Sequence, residues 1–191
     1  MKTELQGQLT TLKPFTEEDV TDEYVGWLHD PDVTEFLEIT RTERSKEALQ
    51  LYTRNAEKDP DRYFYSLLAN DINEAVGTIS VRHNKMHATA TYGFIIGDKD
   101  YWGTDVALDA QKTVFNFAFE ELKIRKLSAG VCLKNLPSHF NLRRLGFEKE
   151  GVLRADVLLG EGGDIVSDVV RYGMLYDKWL DTRDGIHVFR K

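Results

Sequence analysis

From Val106 to Leu122, apolar residues recur every three or four positions: Val106, Ala107, Ala110, Val114, Phe117, Ala118 and Leu122. A helix with one apolar stripe needs a surface to cover, and β-patterned runs on both sides supply it. Upstream, RYFYSLLA (62–69) and EAVGTISVRH (74–83) read as strands joined by the turn-forming NDIN, and ATATYGFII (88–96) follows as a third. Downstream, KLSAGVCL (126–133) reads as a buried strand. LPSHFNLRRLG is a short helix ended by Gly146, and two long strands, about 147–159 and 165–176, flank the hairpin turn GEGGD. Ahead of all this, QLTTLKPF (8–15) alternates as a first strand. TEEDV then opens a helix, with Thr16 as cap and Asp19 three residues on; Val20, Tyr24, Trp27 and Leu28 form its apolar face. His29-Asp30-Pro31 breaks that helix, DVTEFLE follows, and residues 43–57 form another with Ala48, Leu49, Tyr52 and Ala56 on one face. The order predicts a mixed α/β domain: a largely antiparallel, twisted sheet with helices on both faces. One domain over residues 1–180 and a polar tail from Asp181 are expected.

Composition narrows the function classes. A chain of 191 residues suits one domain with a sizeable core, and 41% hydrophobic with 30% charged residues is the balance of a globular protein. No apolar run approaches the ~20 residues of a membrane span, and MKTELQGQLTTL lacks a signal-peptide core. A cytoplasmic protein without a membrane partner is expected. Net charge of −7 argues against a nucleic-acid partner. Cys132 is the single cysteine, so no intrachain disulfide or cysteine-based zinc cluster forms, and no metal-ligand spacing is present.

DKDYWGTDVALDA (98–110) poses a question of its own. A Gly turn runs into a helix start, where unpaired N–H groups and the helix dipole suit a phosphate. Yet Asp100 and Asp105 carry the wrong charge for one. The plainer alternative is a well-capped core helix, with Thr104 or Asp105 as cap and Asp109 complementing the dipole.

Four blocks in order resemble one family. YVGWLHDPDVTEFLE (24–38), DYWGTDVALDA (100–110), FNFAFEELKIRKLSAGV (115–131) and NLPSHFNLRRLGFEKEGVLR (135–154) are similar to segments of the GNAT superfamily of acetyl-CoA-dependent N-acetyltransferases, in its RimJ/RimL-like branch. The resemblance covers about residues 8–180. It implies two adjacent strands that splay apart, with acetyl-CoA as cosubstrate in the gap. Phe94, Ile95 and Ile96 then offer backbone groups to the pantetheine arm, and Tyr101, Trp102, Gly103, Thr104, Asp105, Val106 and Ala107 form the pyrophosphate loop. Asn135, Ser138 and Phe140 lie where relatives touch the cofactor. The family's loop pattern is partly kept: Gly103 and Ala107 remain, while Asp100 and Asp105 replace a basic or amide residue and a Gly. Phe140 stands where a basic residue is frequent, with Arg143 and Arg144 nearby as substitutes or as a solvated helix face.

Amine acetylation needs a base, a donor for the carbonyl oxygen and a leaving thiol. The oxygen donor is expected from a backbone N–H near Phe94 and Ile95. Relatives often carry a Tyr to protonate the thiol, where this chain has Leu142; a thiol of pKa ~8.5 leaves acceptably alone. Many relatives place a Glu as base where this chain has Thr91. The expected substitutes are His83, whose side-chain type titrates near ~6.5, and Glu38, with His29 and His139 also considered and a water chain to solvent as the alternative. The preferred acceptor is a small-molecule amine: an amino-sugar nucleotide of surface polysaccharide synthesis, which would need basic residues such as Arg41, Arg44 or Arg82. The aromatics Trp27, Phe36, Tyr52, Tyr63 and Tyr65 read mostly as core, with one or two available as a wall of that pocket. The alternatives are a peptide N-terminal acetyltransferase and a non-catalytic acyl-CoA-binding protein; a homodimer is the open assembly state.

Overall fold

The computed structural model describes residues 3–38, 43–160 and 162–185. The chain begins with strands β1 (Leu5–Gln6) and β2 (Thr10–Pro14), then helices α1 (Asp22–His29), α2 (Pro31–Thr34) and α3 (Lys46–Lys58). Strands β3 (Arg62–Ala69), β4 (Glu74–Asn84) and β5 (Thr89–Ile96) form a meander. Helix α4 (Val106–Glu120), strand β6 (Lys126–Cys132) and helix α5 (Leu136–Arg144) follow. Strands β7 (Glu148–Leu159) and β8 (Ile165–Leu175) make a hairpin, and helix α6 (Tyr176–Thr182) ends the described fold.

All eight strands join one sheet in the order β1-β2-β3-β4-β5-β6-β8-β7. Every neighbouring pair is antiparallel except β5 and β6, which run parallel because α4 carries the chain back between them. Side chains alternate across the sheet. Tyr65, Leu67, Ile79, Val81, Ala90, Leu127, Ala129, Val131, Val170, Tyr172 and Met174 pack on one face with α4, α5 and Trp179 of α6. A smaller cluster on the opposite face joins Phe64 to Phe15, Val20, Tyr24, Leu28 and Leu49. The predicted two-faced α/β sheet is therefore present.

Local chemistry sets the helix ends. Thr21 Oγ1 accepts from Tyr24 N–H at 3.2 Å and caps α1, while Asp30 closes α1 and caps α2, with Pro31 at its first position. Thr16 and Asp19 do form a capping box, but on the short 3-10 turn Glu17–Asp19; the longer helix starts at Asp22. In α3 the buried stripe is Leu49, Thr53 and Ala56, and Tyr52 is turned out to the surface. The polar tail expected from Asp181 needs correction, because Asp181 and Thr182 are the last residues of α6. That helix is held by Trp179, which stacks on Phe119 at 5.0 Å between centroids and donates to Asn116 Oδ1. Residues 186–191 of the expected tail lie outside the described residues.

Candidate active site

Strands β5 and β6 pair at only three positions: Thr89 with Lys126, Ala90 with Leu127 and Thr91 with Ser128. Beyond Thr91 the two diverge. Tyr92 to Ile96 still pair with β4, but on the other side they face an open wedge instead of a strand. Within the wedge strand, Phe94 and Ile96 turn to the α4 core and Ile95 to the opposite cluster. Backbone N–H and C=O groups seek partners wherever they are shielded from water, so a strand edge left open inside the fold is a place for an extended ligand.

The loop after β5 ends at the mouth of that wedge. Gly103 has φ +74, the left-handed region that glycine enters freely, and a Cβ there would meet nothing within 4 Å. The space over Gly103 is open to a ligand. Asp98 turns the loop by accepting from Asp100 N–H at 2.9 Å, the Tyr101 phenol donates to Asp71 at 3.0 Å, and Trp102 Nε1 donates to the Ile96 carbonyl at 3.0 Å. Desolvation first, then the bond to Asp71, pushes the Tyr101 phenol up to about 12. Lys99 joins the loop to Asp30 and Asp32 at 2.7 and 2.6 Å, fastening it to the α1–α2 corner. The first helical bond of α4 runs from Asp109 N–H to the Asp105 carbonyl at 2.9 Å, so the N–H groups of Ala107 and Leu108 precede the ladder.

Of the two carboxylates that argue against a phosphate, Asp100 and Asp105, the second is engaged by another helix, and Asp109 of the first turn is turned elsewhere. Asp105 occupies the cap position without capping; its carboxylate meets Arg144 of α5 at 2.8 Å. Thr104 Oγ1 takes the capping role, accepting from Val106 N–H at 3.3 Å. Asp109 does not point at the loop mouth. It is buried and accepts from Gln8 N–H, Leu9 N–H and Thr10 Oγ1 at 3.0, 2.9 and 2.7 Å, pinning the β1–β2 turn to α4. The charge of Asp105, one half of the mismatch read from the loop alone, is thus met by a residue 39 positions away.

On α5, Asn135 Oδ1 accepts from Ser138 N–H at 3.2 Å, so Asn135 is the helix cap. Ser138 is half-buried and Phe140 projects outward, 67% exposed. Leu142, in the place of the family's Tyr, is in the core and has no polar atom to offer.

A cavity of about 300 Å³ opens on the sheet face opposite α4, beside the point where the strands part. Arg62, Ser80, Arg82, Thr91 and Gly93 line it. Cross-strand pairing explains the set: Arg62 pairs with Arg82, Arg82 with Thr91, and Ser80 with Gly93. The same alternation puts His83 on the other side. It pairs with Ala90, whose side chain is buried in the α4 core. Its Nδ1 is buried without a hydrogen-bond partner, and desolvation lowers its pKa, with Asp61 opposing and Lys85 reinforcing. The arrangement does not bring His83 to the Thr91 face. His139 is also engaged: Nδ1 meets Tyr172 Oη at 2.9 Å and Nε2 the Leu133 carbonyl at 3.2 Å. His29 is exposed at the end of α1 with Nδ1 on the Val25 carbonyl.

Glu38 is exposed beyond α2, near the end of β6. Cys132 Sγ contacts the Phe36 carbonyl at 3.5 Å, and the thiol's pKa is raised chiefly by burial, with the Glu38 charge adding. Glu38 is therefore at the rim of the wedge. A second carboxylate, not singled out in the sequence, reaches further in. The β7–β8 register shifts between Lys149 and Gly151, so Glu150 is extruded by a bulge. Its side chain lies over Gly173, where a Cβ would come within 2.4 Å of Glu150 Oε1, and it pairs with Lys126 at 2.6 Å. Gly173 pairs with Ser128, and Ser128 with Thr91, so Glu150 stands on the Thr91 face at the level where the wedge opens. Its only sequence signal was the Glu-Gly pair in the last of the four blocks. Arg62 was missed for the same reason: nothing in RYFYSLLA says which face it takes.

Residues 10–148 match the family model described as an acetyltransferase (GNAT) domain. The chain belongs to this family. Among relatives, it is 33% identical to Probable N-acetyltransferase YjcK of Bacillus subtilis (strain 168) over 117 residues, which covers 60% of this chain and 64% of YjcK. It is 28% identical to Uncharacterized N-acetyltransferase p20 of Bacillus licheniformis over 155 residues, covering 78% of this chain and 85% of that one. The fold superposes on spermidine N-acetyltransferase from Vibrio cholerae, solved in complex with CoA and spermine, with a TM-score of 0.79, covering 90% of this chain and 98% of that one. At 18% identity that likeness is one of fold. The family's cosubstrate, acetyl-CoA, fits the geometry: a strand edge open to an extended arm, then a Gly turn and helix start open to phosphates. Among the described residues no cluster of His, Cys, Asp and Glu is arranged to hold a metal ion, and no described helix is long and apolar enough to cross a membrane.

Proposed function

We propose that this chain is an N-acetyltransferase that moves the acetyl group of acetyl-CoA to a primary amine held on the Thr91 face. The observation that carries the reading is the parting of β5 and β6 after Thr91, directly beside a cavity on that face. Acetyl-CoA supplies the acetyl group as an activated thioester. The chain holds the pantetheine arm along Phe94–Ile96 and the pyrophosphate at Tyr101–Ala107, with Asn135, Ser138 and Phe140 against the arm from α5. A backbone N–H of β5 near Phe94 and Ile95 donates to the carbonyl oxygen as charge develops there. The amine nitrogen bonds to the carbonyl carbon, the C–S bond breaks, and the thiolate takes a proton from solvent.

The amine must shed a proton, and Glu150 is the proposed acceptor, through a water over Ser128 and Gly173. Glu38, at the rim, attracts the cationic amine before it loses that proton. His83 has no part in this reading because it faces the α4 core. The preferred acceptor class remains an amino-sugar nucleotide, the assignment to the RimJ/RimL-like branch belongs to the same proposal, and the setting is cytoplasmic.

Thermal shift with acetyl-CoA and release of free thiol with a panel of amino sugars, polyamines and peptides test the reading. Stabilisation by RT ln(1 + [L]/Kd) is expected, about 2.7 kcal/mol at a hundredfold excess over Kd. No stabilisation refutes cofactor binding, and stabilisation without turnover of any amine leaves an acyl-CoA-binding protein. Glu150→Gln should lower kcat about 100-fold at neutral pH with CoA affinity unchanged. An unaltered kcat removes Glu150 from the mechanism.

A further inference from the structure

The cavity on the Thr91 face is charged unevenly. On its β3–β4 flank stand two guanidiniums, Arg62 and Arg82, side by side as cross-strand partners. Arg62 lies over the Tyr52 ring at 4.5 Å and the Phe64 ring at 5.6 Å, and donates to Tyr52 Oη. Stacking and that bond fix the plane of the guanidinium. Arg82 is held by Asp59 at 3.3 Å, a loose pair, with 63% of its side chain exposed. Asp59 is the one carboxylate paired to this flank among the described residues; Asp61 is taken by Lys85. Across the wedge, Glu150 lies over Gly173 and engages Lys126, Glu38 is exposed beyond α2, and Arg171 lies over Gly130. Two guanidiniums, one held in a fixed plane and one loosely paired, against one carboxylate leave a positive flank in a chain whose net charge is −7.

A guanidinium is matched to the oxygens of a phosphate, which it binds through paired N–H donors; Arg62 presents its donors in a fixed plane, and the exposed Arg82 can swing to meet the same group. Neighbouring strands are about 4.8 Å apart, so a group bound between Arg82 and Arg62 lies roughly 5–10 Å across the sheet from an amine at Thr91 and Gly93. The Tyr52 ring, 47% exposed, stands beside Arg62 and offers an apolar wall to the body of such a molecule.

We propose that Arg62 and Arg82 form a phosphate subsite of the acceptor cleft, so that the acceptor is an amine carrying a phosphate ester or diphosphate about one sugar ring away from its nitrogen. This rests on the acetyl-transfer reading above and deepens it. The same guanidiniums repel a polyamine, so spermidine, which suits the Vibrio cholerae enzyme by its name, is a poor acceptor here.

Calorimetric titration of the CoA-saturated protein tests the subsite independently of turnover. The probes are glucosamine, glucosamine 6-phosphate, muramic acid as a carboxylate-bearing counterpart, and spermidine. Glucosamine 6-phosphate should bind at least tenfold more tightly than glucosamine, and spermidine more weakly than either. Arg82→Gln and Arg62→Gln should each cost the phosphate ester at least fivefold, while CoA affinity, titrated alone, confirms that the variants are folded. Equal affinity for the ester and its parent, tighter binding of muramic acid or spermidine, or ester affinity unmoved by both substitutions overturns the proposal. Failure of the protein to bind CoA or to release thiol would instead refute the acetyl-transfer reading.

Discussion

The Asp105–Arg144 pair offers a test with opposite signs. If the loop at 101–107 holds a pyrophosphate, Asp105 contributes repulsion and Arg144 attraction, and the pair at 2.8 Å is close to neutral as seen from the ligand. Asp105→Asn removes the carboxylate charge that Arg144 meets. At a separation of about 8 Å and an effective dielectric of ~20, one opposite-charge interaction amounts to about 2 kcal/mol. Screening over one Debye length reduces it to about 0.8 kcal/mol. Two diphosphate charges together then give about 1.5 kcal/mol, close to tenfold in Kd. CoA should bind Asp105→Asn about tenfold more tightly and Arg144→Gln about tenfold more weakly, with the double variant returning near the parent. The loss of a partly exposed pair should cost at most about 1 kcal/mol of stability. Calorimetric titration with CoA at low and high salt is the assay, and both shifts should shrink as salt rises. If both single variants move affinity in the same direction, or neither moves it twofold, the pyrophosphate does not lie at this helix start and the pair is only a clamp between α4 and α5.

Three further outcomes follow from the fold. Gly97→Ala puts a Cβ 2.0 Å from Trp27 Cδ2, and the overpacking should cost about 1–3 kcal/mol, seen as a lower urea midpoint; an unchanged midpoint would mean that Trp27 does not pack there. Asp109→Ala removes the acceptor from two N–H groups and a hydroxyl and should destabilise by about 3 kcal/mol or more, with Asp109→Asn retaining part of it. The folded-state pKa of His83 is depressed by burial, so the unfolded chain binds the proton more readily. The stability this group contributes is present above its unfolded pKa, ~6.5, and is lost as pH falls below it. His83→Gln should flatten the fall in Tm between pH 7 and 5.5, and parallel slopes for the two proteins would contradict the buried, unpartnered Nδ1.

How much of this was legible beforehand depended on range. Period and punctuation place nearly every element, because breaks such as Asp30-Pro31 and Gly146 act within a few residues. The first helix began late because Thr16 and Thr21 are both competent caps, and only packing of Tyr24 and Leu28 selects the second. Helix α6 was hidden by its polar composition; a single Trp seated on Phe119 holds it. The face taken by His83 is hidden for a similar reason. His83 and Arg82 are neighbours in sequence, and which of them meets Thr91 is a matter of register, not of residue type.

The sequence by itself determined the order of elements, the Gly turn before α4 and the family, since these rest on short-range pattern and on blocks spaced along the chain. Only the tertiary structure decided the site's electrostatics. Asp105 finds Arg144 across 39 residues, Asp109 turns back 99 residues or more to the first strands, and a bulge in β7 lays Glu150 over Gly173. Charge interactions act through space and fall off within a few ångströms of solvent, so their sign at a ligand depends on folded neighbours that no linear window contains.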